Sequence, residues 1–327
     1  MSILSDPAPS GGVAAVGPGM IDRIEPHIMA GALVFGARAE LDLTPKPGLV
    51  DRSDNGSHPD LDHTRMVRSI ELLPRYYQEL IDIRTGAGRW VPASDSLAAC
   101  IDAGRRAEAR MEEAIGTNAH RGYIFLSGLM LLAACELAGE DSADAAGRPP
   151  AGGAAGAVVG LSSRDGENDS VVPPYGLRRA VISVARQFFA AGRRPAADHP
   201  GARVRAALGL GGVRAEALAG LPSVFEAGLP AYLAARSDFA AFRALAALMQ
   251  NVEDTTAVLR CGLAGLARLR RDGAVLRALL DRGDDPRPVL AAWNEEYRAQ
   301  RLTMGGVADC LALVFALVSV RERAGIP

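Results

Sequence analysis

The chain has 327 residues, of which 49% are hydrophobic, and its 36 basic and 38 acidic residues give a formal net charge of −2. This length and composition predict a globular protein with a substantial buried core. The near balance of charge excludes a global positive field that would hold nucleic acid or an anionic membrane, so any anion has to be bound locally.

The cysteines and the N-terminal residues indicate the compartment. Cys100, Cys135, Cys261 and Cys310 lie far apart among apolar residues, which is typical of buried thiols in a reduced protein. The first residues lack a basic region followed by an apolar core, so we expect neither a signal peptide nor an anchor. The longest apolar segment, which starts at Tyr123, is predicted to be a buried helix too short to span a bilayer. We therefore expect a cytoplasmic protein.

Apolar residues recur at spacings of three and four along most of the chain, and alternating β-branched runs are nearly absent. The pattern predicts an all-α fold, a multi-helix globular bundle that forms one catalytic domain over 21–327 after a flexible tail over 1–20. A segment rich in Gly, Ala and Pro at about 139–174 predicts a long flexible insertion. The predicted helices lie at about 21–43, 60–84, 95–115, 119–138, 177–192, 221–235, 238–251, 254–271, 285–300 and 305–323.

The first polar segment, TPKPGLVDRSDNGSHPDLDH over 44–63, contains Lys46, the only lysine of the chain. Prolines on both sides of Lys46 predict an extended strap that leaves the preceding helix and presents the lysine. Lys46 and Arg52 are candidate phosphate ligands, and Asp60 and Asp62 can hold Mg²⁺ through carboxylate oxygens and water. In the alternative interpretation the segment is a plain loop, Asp60 caps the next helix, and the charges are solvated.

The second polar segment, GTNAHRG over 116–122, immediately precedes the apolar helix. Asn118 and His120 next to Arg121, at a helix N-terminus, would place backbone N–H groups and a cation where a phosphate can bind. In the alternative interpretation Thr117 or Asn118 is an N-cap and His120 is a hydrogen-bonded core histidine.

The third polar segment is glycine-rich and begins at Gly209. No strand precedes these glycines, so the segment does not fit a dinucleotide-binding βαβ unit. Arg214 and Glu216 can both face a ligand from the glycine-rich turn, although an incidental surface charge pair is the alternative.

The fourth and fifth polar segments each precede an apolar helix. They contain Glu253, Asp254, Thr255 and Arg260 in one case, and Thr303, Gly305, Gly306 and Asp309 in the other. Asp309 is the most informative, because the helix that follows it has an apolar pattern typical of burial. A buried carboxylate needs a partner, which can be an arginine, a helix end or a metal, and an internal salt bridge is the default.

Taken in this order, the segments resemble the triphosphoribosyl-dephospho-CoA synthase family, which serves citrate lyase and malonate decarboxylase. The resemblance spans about residues 40–320, and its motifs are PKPGLVDR, GSHPDLD, GTNAHRGYIF, GVRAEALAGLP, EDTTAVLR and TMGGVADCLAL. The chain departs from the family pattern at Ala215, Thr256, Met304 and Val307.

The resemblance implies an all-α enzyme that joins ATP to 3′-dephospho-CoA and releases adenine, with Mg²⁺ as the cofactor. The ribose 2′-hydroxyl of dephospho-CoA would attack the anomeric carbon of the ATP ribose. The product would be the prosthetic-group precursor of an acyl carrier protein, with malonate decarboxylase favoured over citrate lyase. The carrier protein or its holo-transferase is then an expected partner.

The resemblance also implies roles for the polar residues. The catalytic candidates are Asp60, His120, Glu216 and Asp309. The candidates for binding ATP are Lys46, Arg52, His58, Asn118, Arg121, Arg214, Thr255, Gly305 and Gly306. The candidates for binding the metal are Asp60, Asp62 and Asp254. Two alternatives stay open: a helical nucleotide hydrolase or glycosyl transferase with another acceptor, and an inactive scaffold that binds an acyl carrier.

Overall fold

A computed structural model describes residues 24–86, 90–145, 175–191, 206–235 and 239–325, and every regular element within those ranges is a helix. This confirms the predicted all-α fold. The elements in chain order are α1 (Pro26–Asp42), α2 (His63–Glu71), α3 (Leu73–Arg84), α4 (Ala93–Ile115), α5 (Arg121–Ala145), α6 (Tyr175–Ala190), α7 (Gly212–Leu218), a π-helix (Ser223–Gly228), α8 (Leu229–Leu233), α9 (Ala240–Asn251), α10 (Thr255–Asp281), α11 (Arg287–Gln300) and α12 (Gly305–Arg323).

Several predicted boundaries differ from the structure. The helix expected at 60–84 is two helices that meet at Leu72, with a proline in the first turn of α3. The helix expected at 254–271 continues to Asp281, because its buried apolar positions keep the helical spacing, and it bends at Gly262, where φ is +63°. Helix α5 runs to Ala145, so the start of the predicted insertion is helical. The rest of that insertion and the predicted tail lie outside the described residues.

Helix α12 forms the centre of the core, and it is buried on nearly all sides from Cys310 to Arg321. Helix α1 packs closely along it, because a Cβ added to Gly36 would lie only 2.1 Å from the backbone oxygen of Ala312. The hydroxyl of Tyr123 on α5 donates to the backbone oxygen of Leu33 on α1 over 2.5 Å. Helices α1, α5 and α12 therefore meet in one place.

The apolar part of α5, Arg121–Glu140, is long and apolar enough to cross a membrane by length and composition alone. The expectation that this segment is too short is therefore wrong. Its burial supports the predicted core helix nevertheless, since 67% of its most apolar window is buried inside the protein.

The segment between α1 and α2, residues 43–62, is called the strap here. The strap is hydrogen-bonded to α11: Asn294 accepts from the Gly48 N–H over 3.0 Å and donates to Asp54 over 2.7 Å. The Ser57 hydroxyl donates to the backbone oxygen of Leu302 over 2.6 Å. The strap is thus folded inward onto the core and does not stand away from it.

Candidate active site

A buried cavity of about 70 Å³ lies between α1, α5, α12 and the strap. A single water needs roughly 10–15 Å³ by this measure, so the cavity has room for a few waters or one small polar group. Its polar lining consists of Glu40, His58, His120, Tyr123 and Asp309, and the rest is mainly aliphatic. Residues far apart in the sequence therefore share one partly open space.

Asp309 lies in the first turns of α12, half-buried, with its carboxyl group against the N-terminus of α5. A Cβ added to Gly122 would lie 2.0 Å from Asp309 Oδ2, so only glycine leaves room for this contact. The backbone N–H of Tyr123 interacts favourably with the carboxylate, so a helix end is the partner that Asp309 was expected to need. Burial, followed by the charges of Asp254 and Glu40, raises the pKa of Asp309 well above its ordinary value.

Lys46 is buried, with 1% of its surface exposed, and its ammonium group donates to Glu40. It contacts Oε1 of the Glu40 side chain over 2.5 Å and also the Glu40 backbone oxygen. The prediction that the strap presents Lys46 is wrong, because the strap folds back onto the end of α1. Two of the three donors of its ammonium are thus engaged by Glu40.

Glu40 was not found by sequence reasoning. Burial raises its pKa, and the ammonium of Lys46 opposes that shift. The signal that could have found it is the solitary lysine itself, because a buried ammonium needs a carboxylate and Glu40 lies only six residues earlier.

Two histidines complete the lining. His58 Nε2 lies 2.9 Å from the Thr303 hydroxyl, and burial together with the charge of Arg260 lowers the pKa of His58. Burial and the charge of Lys46 lower the pKa of His120 to about 4, so this ring is neutral at pH 7. Nε2 of His120 is buried and has no hydrogen-bond partner among the described residues. It can therefore bind a polar atom placed in the cavity.

Asp254 is fully buried and joins two helices. Its Oδ1 accepts from the N–H groups of Thr256 and Ala257, both over 2.9 Å, which caps α10. Its Oδ2 accepts from the N–H of Val307 over 3.0 Å, which ties α10 to the start of α12. A Cβ on Gly306 would lie 3.2 Å from the same oxygen. Asp254 therefore holds the helix that carries Asp309.

The structure does not bring the predicted metal ligands together. Asp62 caps α2 by accepting from the Arg65 N–H over 2.8 Å, so the expectation that Asp60 caps this helix is wrong by two residues. Asp60 is exposed and accepts from the Thr117 hydroxyl over 3.2 Å. Both oxygens of Asp254 accept backbone N–H groups. Across the described ranges, no group of three or more His, Cys, Asp and Glu side chains is arranged to hold a metal ion.

An open cleft of about 460 Å³ lies between the strap and α2. It is lined by Asp51, Arg52, Ser53, Asp54, Asn55, Asp62, His63, Thr64, Arg65 and Arg68. Arg52 pairs with Asp42 over 2.9 Å, and Arg65 donates to the backbone oxygen of Asp60 over 2.7 Å. Arg68 is exposed and has no carboxylate partner among the described residues. The cleft thus carries three arginines and three aspartates, and Arg68 is the arginine among them without a carboxylate partner in the described ranges, so it is the group most available to an anion.

The second polar segment is only partly directed at the cavity. Arg121 pairs with Glu108 of α4 over 3.2 Å, and Asn118 donates to the same carboxylate over 3.2 Å. Of that segment's predicted site residues, only His120 lines the cavity.

The third polar segment does not line the cavity. The guanidinium of Arg214 stacks on the Phe189 ring at 4.7 Å, and Glu216 accepts from the backbone N–H and the hydroxyl of Ser223. Of the remaining candidates, Gly305 lines the cavity and Thr255 begins α10.

Comparison with known proteins gives one consistent result. A family model described as ATP:dephospho-CoA triphosphoribosyl transferase matches residues 27–326. A probable 2-(5″-triphosphoribosyl)-3′-dephosphocoenzyme-A synthase of Stutzerimonas stutzeri is 33% identical over 88% of this chain and 90% of its own. A protein of Vibrio cholerae with the same description, also marked as probable, is 30% identical over 92% of this chain and 90% of its own. A protein of Pectobacterium atrosepticum with this description is 31% identical over 85% of this chain and 84% of its own. No solved structure matches.

Proposed function

The chain belongs to the ATP:dephospho-CoA triphosphoribosyl transferase family and is a transferase, and we propose that it transfers the triphosphoribosyl group of ATP to 3′-dephospho-CoA with release of adenine. The observation that carries the proposal is the buried cavity in which Glu40, Asp309 and two histidines meet. Water-poor sites with closely spaced carboxyl groups are suited to displacement at the anomeric carbon of a sugar.

The reaction replaces the bond between the anomeric carbon and adenine by a bond to the acceptor hydroxyl. Positive charge develops on the ribose as adenine leaves, and adenine needs a proton. Asp309 suits the role of acid, because burial and two neighbouring carboxylates favour its protonated form. His120, neutral and unpartnered at Nε2, suits contact with a polar atom of the substrate.

The triphosphate would bind in the open cleft. Arg52, Arg65 and Arg68 line it, and the strap separates it from the cavity by only a few residues. Mg²⁺ would enter as the complex with the triphosphate, which suits a metal usually bound through substrate phosphates and one or two carboxylates. Of the three carboxylates of the cleft, Asp51 accepts backbone N–H groups at both oxygens, and Asp54 and Asp62 are the two that could complete its ligands.

The product would be the precursor of the prosthetic group of an acyl carrier protein, with the malonate decarboxylase carrier favoured over that of citrate lyase. The finer assignment rests on the motif resemblance. Incubating the product and a holo-transferase with each purified apo-carrier tests it, since modification of the citrate lyase carrier alone would reverse the preference.

The activity itself is tested with purified protein, ATP, dephospho-CoA and Mg²⁺, by measuring adenine and the mass of the coenzyme product. Equal amounts of adenine and triphosphoribosyl-dephospho-CoA are expected. Adenine without the coupled product would indicate a nucleotide hydrolase, and tight nucleotide binding without turnover would indicate a binding module. Absence of both turnover and binding would contradict the proposal.

A further inference from the structure

Two carboxyl groups lie beside the close contact between helices α1 and α12, at the same end of it. Helices α1 and α12 touch where Gly36 meets Ala312. Glu40 lies one turn after Gly36 and Asp309 one turn before Ala312, and both line the cavity. A substrate group that enters this space therefore meets both carboxyl groups at once.

The two carboxyl groups differ in their charged neighbours. Burial raises the pKa of both, but the ammonium of Lys46 is in direct contact with Glu40 and opposes that shift by favouring the ionised form. The groups that act on Asp309 are the carboxylates of Asp254 and Glu40 and the N–H of Tyr123, and no cation of the described residues is among them. Neighbouring carboxyl groups whose environments differ in this way are typical of an acid and base pair.

One oxygen of Glu40 is free to react. Lys46 occupies Oε1, whereas Oε2 accepts no hydrogen bond from any of the residues that the structure describes. The carboxylate is thus held by one oxygen while the other keeps its lone pairs. A positioned carboxylate of this kind can accept a proton from a hydroxyl group within hydrogen-bond distance.

We propose that Glu40 is the general base of the reaction and that Lys46 is a positioning residue that holds it; this rests on the proposed function. The proton of the acceptor hydroxyl moves to Glu40 while the hydroxyl oxygen forms its bond to the anomeric carbon of the ATP ribose. The bond from that carbon to adenine breaks, and its electron pair leaves with adenine, which takes the proton of Asp309. Exchange of protons with solvent then restores both carboxyl groups.

The opposing interpretation is a buried ion pair that only stabilises the fold. Glu40→Gln distinguishes this interpretation from the general-base role, because the variant keeps the shape of the side chain and removes the basic carboxylate. We expect kcat to fall about 10²-fold or more with the KM for ATP changed less than about threefold, and Glu40→Asp to recover part of the rate. Asp272→Asn is the matched control: Asp272 is a buried carboxylate paired with Arg268 and Tyr297 that does not line the cavity.

The pH profile gives a readout that a structural role would not change. The charged and titratable groups that face Glu40 are Lys46, Asp51, Asp309, His58, His120 and Tyr123. In the wild type, kcat should fall as pH drops and Glu40 takes up a proton, and this acidic limb should disappear in Glu40→Gln. Lys46→Met removes the opposing cation, so the limb should move to higher pH by about one unit or more.

Several outcomes would overturn the inference while leaving the proposed function intact. In each, the wild type forms product and Glu40→Gln is folded. In the first outcome the kcat of Glu40→Gln is within threefold of wild type, and in the second the acidic limb survives in this variant. If Glu40→Gln does not fold, the double variant Glu40→Gln/Lys46→Met, which removes both charges, takes its place and is judged by the same two criteria. Failure of the wild type to form product would instead count against the proposed function.

Discussion

The cavity and the cleft, both lined in part by the strap, use opposite physical chemistry. The cavity measures about 70 Å³ and holds buried carboxyl groups and histidines with shifted pKa values. The cleft measures about 460 Å³, is open, and carries exposed arginines. Burial makes charge costly and so tunes acid and base groups, whereas exposure keeps arginines charged and ready to bind anions.

This difference predicts two classes of variant. Changes in the cavity should lower kcat strongly and respond little to salt, because buried interactions are screened weakly. Changes in the cleft should alter the KM for ATP modestly, and their effect should shrink as salt is added.

The largest effect is expected for Asp309→Asn. The amide keeps the size of the carboxyl group but cannot deliver the proton that adenine needs, so kcat should fall about 10³-fold. Rapid-quench measurement of adenine release in a single turnover measures the chemical step. Circular dichroism and the melting temperature should confirm an intact fold, and a rate within tenfold of wild type would show that Asp309 is not the acid.

Gly122→Ala tests the same group through its geometry. The new Cβ would lie 2.0 Å from Asp309 Oδ2, so the carboxyl group must move. A displacement of about 1 Å can cost about 10²-fold in rate, and we expect a loss of this size together with a loss of stability of about 1–3 kcal/mol from overpacking. Gly31→Ala is the matched control, because a Cβ there meets no atom within 4 Å. Equal activity of the two variants would contradict the placement of Asp309.

Helix caps in the two regions should differ in their effect on stability. Asp254→Ala removes three hydrogen bonds inside the core and leaves buried N–H groups unpaired, which should lower the free energy of unfolding by about 3 kcal/mol. Asp62→Ala removes one cap bond at the exposed cleft and should cost about 1 kcal/mol. Urea unfolding of both variants measures the difference, and equal losses would mean that burial of the cap is unimportant.

Local sequence patterns predicted the helices and several members of the site, but not which residues face each other. Three-and-four spacing identified α12, and the isolated Asp309 near its start indicated a carboxylate in need of a partner. The inward fold of Lys46 depends on contacts between the strap and α1, which proline spacing does not encode. Likewise, Arg121 and Asn118 turn to Glu108 on a different helix. Spacing defines the face of a helix, whereas tertiary packing decides its partner.

The smallest effect is expected for Arg68→Gln in the cleft. Arg68 is exposed and contributes an unpaired charge toward a bound triphosphate, so its loss should raise the KM for ATP about three- to tenfold and leave kcat unchanged. The increase should diminish between about 0.05 and 0.5 M salt, because the Debye length falls well below the width of an open site. Arg270→Gln, an exposed arginine of α10 outside the cleft, is the control and should behave as wild type. If Arg68→Gln instead lowered kcat with no salt dependence, the cleft would take part in the chemical step, and the division between a buried reaction site and an exposed anion site would be wrong.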